Sequence, residues 1–330
     1  MPLKIAIIHN DPYADVLNKI GETGAIIGVV EEVVAVKEAL IELGYHIQLI
    51  PLGRPLEKAQ KTLESVCADL VFNLFEGFDD APETEPVIAR WMEEKHIRFT
   101  GNPSNVLELT LDKAKTKSVL STAGIKTPAY QVLNPDTMDG FNLKFPCIVK
   151  PNAEDASHGL LPESVVQNKE QLIAQVERIT RNFRGSALVE EFIDGREFNA
   201  SVLGNSSLSL LEISEITYTL PRGLPRILTF ESKWIEGTEY YVGTGVTCPA
   251  QIDPELRKTI ADIVLTGCKA VGCRGYARVD MRQDLNGDIR VLEINANPDI
   301  SPDLGIARQA NAVGISYAEL IQKIVSLALE

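Results

Sequence analysis

Through the first hundred residues, short apolar runs alternate with stretches of helical spacing. Lys4 to His9 is a nearly continuous apolar run with β-branched residues, the pattern of a buried strand. Asp11 to Gly28 reads as a polar, glycine-containing connection. From Val29 to Leu43 apolar residues recur at helical spacing (Val30, Val33, Val34, Leu40), and Gly44 supplies a C-terminal stop. His46 to Ile50, Asp69 to Leu74 and Ile97 to Thr100 read as further strands, with a helix from Thr84 to Lys95 between the last two. This alternation predicts a parallel sheet covered on both faces.

The character changes near Gly101-Asn102-Pro103. Asp112 leads a lysine-rich helix (Lys113, Lys115, Lys117) that ends at Gly124. Ala129 to Leu133 and Cys147 to Lys150 read as strands of a second unit, and Leu172 to Phe183 as its helix. From Ser186 strands dominate: Ala187 to Glu191, Phe198 to Leu203, Leu208 to Ile216, Ala277 to Arg282 and Ile289 to Ile294. The last two flank Asn286-Gly287, a favoured hairpin turn. A helix from Tyr317 to Leu329 closes the chain. The expected class is α/β, passing to α+β in the C-terminal part. Three units are expected: residues 1–101 around a parallel sheet, 102–187 as a small central unit, and 188–330 as a mostly antiparallel one.

Composition narrows the function. With 330 residues the chain is long enough for two or three domains. Its net charge of −14 argues against nucleic acid or an anionic membrane as partner, while leaving room for a local basic pocket. No apolar run reaches the roughly 18 residues of a membrane span, and the N-terminus reads as a strand rather than a signal peptide. Five scattered cysteines without metal-finger spacing point to reduced thiols in the cytoplasm.

Three segments carry candidate chemistry. Arg278-Val279-Asp280 and Glu293-Ile294-Asn295 lie on the two strands of the last hairpin, and period-two alternation keeps each set on one face. If the faces coincide, two carboxylates and an amide oxygen converge beside a guanidinium, the hard oxygen donors that nucleotide-bound Mg²⁺ takes. The alternative is a solvated salt-bridge ladder. Apolar Val279, Val291, Leu292 and Ile294 argue against it by making the opposite side a covered face. Lys150 ends an apolar strand before a loop of small residues reaching Gly159, a place for one cation and several N–H groups against phosphates. It lacks the Gly-Lys-Ser/Thr ending of a P-loop. Leu188 to Ile193, followed by Gly195-Arg196-Glu197, could hold an adenine with a carboxylate such as Glu197 on the ribose hydroxyls, but taken by itself it reads as an edge strand with surface acids.

Asp112-Lys113, Val149-Lys150-Pro151, Ser157-His158-Gly159, Val189-Glu190-Glu191-Phe192, Arg278-Val279-Asp280 and Glu293-Ile294-Asn295, in this order, resemble the ATP-grasp superfamily, and most closely the branch of D-alanine–D-alanine ligases. The likeness runs from about Phe99 to the C-terminus and is weak before it. It implies an ATP-grasp fold behind an N-terminal parallel-sheet domain. It implies Lys113 and Lys150 on the ATP phosphates, a mobile loop of Ser157, His158 and Gly159 over the γ-phosphate, and an adenine hinge of Glu190, Glu191, Phe192 and Ile193. Glu197 matches the ribose acid and Leu292 the residue against the adenine ring. Asp280, Glu293 and Asn295 match the Mg²⁺ ligands, with Mn²⁺ as a substitute, and Arg278 the arginine that stabilises charge on the transferring carboxyl-phosphate. The implied reaction phosphorylates a carboxylate with ATP and lets an amine attack the acyl phosphate. A homodimer through the N-terminal domain fits the resemblance.

The departures concern substrate. Where the D-alanine ligases carry Gly-Gly-x-Ser-x-Glu, this chain reads His9-Asn10-Asp11-Pro12-Tyr13. Their loop serine is Ala156 here, and their tyrosine, after the matching Lys233, is Trp234, which offers a single N–H donor. The glycine of Ser-Pro-Gly is Asp299, which keeps the backbone N–H toward the oxyanion and adds a carboxylate. Asp303 stands near the serine that grips the second substrate's carboxylate; an aspartate repels a carboxylate and attracts an ammonium, though both acids also read as helix caps or solvated groups. Asn73 and Glu76 end a first-unit strand where substrate is expected, or serve as turn formers. The expected function is an ATP-dependent carboxylate–amine ligase whose product is not D-alanyl-D-alanine. A D-alanine ligase with divergent recognition and a nucleotide-binding protein without turnover are the competing readings.

Overall fold

The computed structural model describes residues 2–11, 22–78, 81–153, 159–183 and 185–330, with backbone alone for 22–27 and 234. Its first sheet is parallel, in the order β2 (His46–Leu52), β1 (Lys4–Asn10), β3 (Leu70–Leu74). In β1, Ile5 and Ile7 face α1 (Glu22–Glu42) and the chain's last helix, while Ala6 and Ile8 face α2 (Leu56–Glu64) and α3 (Thr84–Glu94). Burial on both faces explains the unbroken apolar run.

The helix α1 starts at Glu22, so residues 22–28 extend it rather than belonging to the connection. Gly24 and Gly28 masked a segment that Ala25, Ile26 and Ile27 make helical. Ile97 to Thr100 is not a strand. A single bridge joins Phe99 to Val71, closed by bonds of 2.9 and 3.0 Å that dock the segment at the edge of β3. A further helix, α2, buries Ala59 and Leu63 and packs Leu56 against the same core, while its remaining residues are polar.

The chain then runs through α4 (Ser104–Leu111) and α5 (Lys113–Thr122) into a four-stranded antiparallel sheet of β4 (Tyr130–Leu133), β5 (Cys147–Pro151), β6 (Val165–Val166) and β7 (Ala187–Glu191), in the order β4-β7-β5-β6. The helix α6 (Lys169–Asn182), capped by Asn168, covers one face and closes a small core of Val149, Leu172, Val176, Ile179 and Val189.

The third sheet is a five-stranded antiparallel one, β10-β9-β8-β11-β12, built from β8 (Glu197–Gly204), β9 (Ser209–Tyr218), β10 (Thr244–Thr247), β11 (Gly275–Gln283) and β12 (Ile289–Asn295). Before β10 lie the short helices α7 (Phe230–Trp234) and α8 (Glu239–Gly243). The longer α9 (Pro254–Val271) starts at an Asp253 cap and lies on the apolar side of the sheet. After α10 (Gly305–Ala312), α11 (Tyr317–Leu329) returns to the first sheet and buries Leu320, Ile321, Ile324 and Val325 against α1 and β3. The hairpin between β11 and β12 is wider than a two-residue Asn-Gly turn. Asp284 and Asp288 still bond at 2.8 Å, so residues 285–287 form the loop and Gly287 takes its left-handed position, φ 87.

Among the described residues, no single helix is long and apolar enough to cross a membrane, and all five cysteines are free.

Candidate active site

The hairpin of β11 and β12 organises the site. Arg278 stands opposite Asn295 and Asp280 opposite Glu293, so all four share one face of the sheet, as their spacing predicts. The next pair, Met281 with Val291, shows a register shift that leaves Leu292 in a bulge. Strict alternation would place Leu292 with Ile294 on the apolar side. The bulge instead lets Val291 and Ile294 both reach the core, and leaves Leu292 only half-buried at the edge of the site. Arg278 binds Asp280 through two bonds of 2.8 Å, and Asn295 accepts the N–H of Asn297 at 2.9 Å.

Cations surround Glu293. Its burial pushes the carboxyl up, but Lys113, Lys150, Arg278 and Lys233 outweigh that and bring its pKa down to about 2. Lys113 Nζ lies 3.6 Å from Glu293 Oε2. The start of α5 is what aims this lysine: Asp112 accepts the Lys115 N–H at 3.0 Å, and Asn152 binds Asp112 at 3.0 Å and accepts the Ala114 N–H at 3.1 Å. Because Asn152 follows β5, one side chain fixes the first turn of α5 beside the strand that delivers Lys150.

Lys117, one helical turn beyond Lys113, belongs to the site although its charge gave no sign of it in sequence. Its i, i+4 spacing from Lys113 is the signal, since both then face inward while the Lys115 side chain remains 73% exposed. Lys117 is 1% exposed. Its Nζ ion-pairs with Glu190 Oε1 at 2.5 Å and donates to the bulged Leu292 carbonyl at 2.8 Å. Lys150 Nζ takes the other oxygen of Glu190 at 2.6 Å. Burial favours a neutral Glu190, but the two lysines prevail and hold its carboxyl below the usual range. Burial lowers Lys117 to about 8 despite the attraction of Glu190.

The segment after Glu190 is tied down by Arg282. This guanidinium donates to the Ile193 carbonyl at 2.7 Å, to Glu197 at 3.0 Å through Nε, and to the Arg226 carbonyl. Glu197 also accepts the Tyr218 hydroxyl at 2.7 Å. Glu190 and Ile193 are buried, Phe192 is half-buried and Glu191 exposed. Gly159 enters the described chain with φ 76, and its carbonyl accepts from Arg178 at 2.7 Å. Ser157, His158 and Ala156 lie outside the described residues. So does the side chain of Trp234, whose backbone ends α7 beside Lys233.

On the first-sheet side, Asn73 is buried and accepts the Phe75 N–H at 3.2 Å, which makes it a turn former. Glu76 is exposed and bears on Glu32, a residue of α1 with no distinguishing mark in the sequence. Glu32 accepts the Ile300 N–H at 2.9 Å and shares a hydrogen bond with Asp299. Burial first, then Asp299 and Glu76, push its carboxyl well above the usual range. Asp299 also accepts the Ser301 N–H at 2.7 Å, a local turn rather than the expected helix cap, since α10 begins after Leu304 with no side-chain cap. Asp303 is exposed, with φ 66, in the turn before α10.

Five cations (Lys113, Lys117, Lys150, Lys233, Arg278) therefore face three carboxylates (Glu190, Asp280, Glu293) inside a strongly acidic chain. That excess suits a polyphosphate. Asp280, Glu293 and Asn295 supply the oxygen donors a hard divalent cation takes, and fit one.

A cation-lined cluster of this kind, between a four-stranded sheet and a larger antiparallel sheet, belongs to the ATP-grasp architecture. The same fold is found in the ATP complex of D-alanine–D-alanine ligase from Bacillus anthracis (TM-score 0.73, 21% identity, covering 100% of this chain and 97% of that one). It is also found in VanG D-Ala:D-Ser ligase from Enterococcus faecalis (TM-score 0.75, 22% identity, 99% and 100%). The family profile described as D-ala D-ala ligase C-terminus matches residues 119–326. D-alanine–D-alanine ligase of Haemophilus influenzae strain PittEE is 30% identical over 89% of this chain and 94% of its own length. An uncharacterized protein, y4sG, of Sinorhizobium fredii strain NBRC 101917 / NGR234 is 32% identical over 99% and 97%. The chain belongs to the D-alanine–D-alanine ligase family and is an ATP-dependent carbon–nitrogen ligase that uses a divalent metal.

Proposed function

We propose that the protein joins a carboxylate to an amine through an acyl phosphate, with Mg²⁺ as its metal, and that its substrates are not two D-alanines. The observation that carries the chemistry is the shared face of Arg278, Asp280, Glu293 and Asn295, ringed by Lys113, Lys150 and Lys233. In this reading Lys113 and Lys150 hold the phosphates, with Gly159 beside them. The segment Glu190–Ile193 and Leu292 border the base, and Glu197 faces the ribose. Asp280, Glu293 and Asn295 would hold the Mg²⁺, which supplies neutralising charge to the phosphate oxygens. Arg278 meets the charge that builds on the phosphorylated carboxyl group, and the Asp299 N–H meets the oxyanion formed when the amine attacks. The γ-phosphoryl group passes to a carboxylate oxygen as ADP leaves; the amine nitrogen then bonds to the acyl carbon, and phosphate departs.

The substrate reading rests on replaced recognition residues. The glutamate, serine and tyrosine set of the D-alanine ligases is missing together, with Ala156 and Trp234 at two of its positions. A carboxyl pair, Glu32 and Asp299, occupies the region beyond Arg278. The Glu32–Asp299 carboxyl pair draws an ammonium toward the site; in this reading Glu76 and Asp303 border the same approach. ATP use and free thiols support action in the cytoplasm. Product analysis by mass spectrometry decides the substrate. D-alanyl-D-alanine formed from D-alanine as readily as any product from pooled amines and amino acids would overturn this part. A changed amine preference in Asp299→Gly supports it.

A further inference from the structure

Glu190 is a buried carboxylate held by two ammonium groups, and those groups differ in freedom. Lys117 is enclosed: it is 1% exposed, comes from the middle of α5 and is pinned on its far side by the Leu292 carbonyl at 2.8 Å. Lys150 is at the end of β5, its side chain 10% exposed, next to the loop of small residues. Of the two, Lys150 is the more exposed and, among the described residues, has no second partner of the kind that pins Lys117 to the Leu292 carbonyl. Both distances to Glu190 are those of tight ion pairs, 2.5 and 2.6 Å.

A buried carboxylate left with a single counter-ion binds it hard, since in a low-dielectric interior the loss of a partner leaves an uncompensated charge. We propose that Lys117 is a positioning residue that neutralises Glu190 so that Lys150 is free to take the ATP phosphates. Two ammonium groups around one carboxylate leave one positive charge to spend on the nucleotide. Without Lys117 the cluster is a neutral pair, and Lys150 is committed to Glu190. Lys117 never touches the nucleotide in this arrangement. The inference rests on the reading of Lys150 as a phosphate ligand, and the experiment separates the two.

The prediction is that removing Lys117 costs ATP affinity only while Glu190 is charged. ATP binding to the full chain is measured by calorimetry for wild type, Lys117→Met, Glu190→Gln, the double variant and Lys150→Met, with KM for ATP and kcat beside it. Folding of each is checked by thermal unfolding. Lys117→Met should weaken ATP binding by roughly tenfold or more, with the loss falling on KM more than on kcat. In the Glu190→Gln background the same substitution should change binding by less than about threefold, a coupling that a merely structural lysine would not produce. Should Lys117→Met be too unstable to assay, the comparison of Glu190→Gln with the double variant still decides. An equal loss in both backgrounds, or a large loss in the Glu190→Gln background alone, overturns the proposal. Lys150→Met with unchanged ATP binding overturns the reading of Lys150 and the inference with it.

Discussion

Asp280 lies directly across the hairpin from Glu293, and the strand register breaks immediately after this pair. The coincidence of the two features matters. The register brings the carboxylates together on the site face, and the bulge turns the next residue, Leu292, out of the core and gives its carbonyl to Lys117. Asp280→Asn or Glu293→Gln removes one of two facing carboxylates. Either should lower kcat at saturating ATP by about 100-fold or more, and each should also lower the melting temperature at neutral pH because it leaves buried cations without their carboxylate. A residual activity near wild type in both would refute the metal-site assignment.

Glu293 also makes a prediction about pH. Its pKa of about 2 keeps it ionised throughout the range where enzymes are assayed. Its stabilising contribution is present above the unfolded value of 4.5 and is lost only as pH falls through about 2. A pH profile of kcat/KM between 5 and 9 should therefore show no limb that disappears in Glu293→Gln once its lower rate is allowed for.

Glu32 has the opposite sign. A carboxyl raised in the folded state contributes stability that is full below the unfolded value of 4.5 and fades as pH rises through the folded value. The melting temperature of Glu32→Gln relative to wild type should thus climb as pH rises above about 5. A difference that stays flat would mean that Glu32 titrates normally.

Arg282 is the anchor of the segment after Glu190. Both it and Glu197 are nearly buried, and among the described residues Arg282→Met leaves the Glu197 carboxylate with the Tyr218 hydroxyl alone. The expected cost is about 3–5 kcal/mol in unfolding free energy, together with a higher KM for ATP. Restoring stability by adding Glu197→Gln would identify the stranded charge as the cause.

Gly195 tests the same segment by shape. A Cβ at this position would stand 1.7 Å from the Gln283 carbonyl oxygen of β11, so the loop can lie on the hairpin only without a side chain. Gly195→Ala should destabilise the protein by about 1–3 kcal/mol, read from denaturant unfolding.

The sequence made much of this architecture legible because its signals are local. Unbroken apolar runs marked β1 and β3, and period-two alternation marked the face that carries Arg278 and Asp280. Where the structure departs, the cause is context that a single sequence does not carry. The extra residue at Leu292 depends on the pairing of two strands. Glu32 looks like any exposed helix acid until Ile300 and Asp299 fold onto it from the other end of the chain. Lys117 and Lys115 differ only in the face of α5 they occupy, and that face is set by Asn152, about forty residues away in sequence. Ile97 to Thr100 has strand-forming residues, but they pair with β3 only through the single bridge at Phe99 and are too few to extend it into a ladder.

The most direct test is nucleotide product analysis. The full chain is incubated with ATP, Mg²⁺ and pooled D- and L-amino acids, amines and dipeptides, while ADP, AMP, phosphate and pyrophosphate are followed. Transfer of the γ-phosphoryl group to a carboxylate predicts ADP and phosphate in equal amounts, formed only when a substrate pool is present. AMP and pyrophosphate would contradict the acyl-phosphate mechanism.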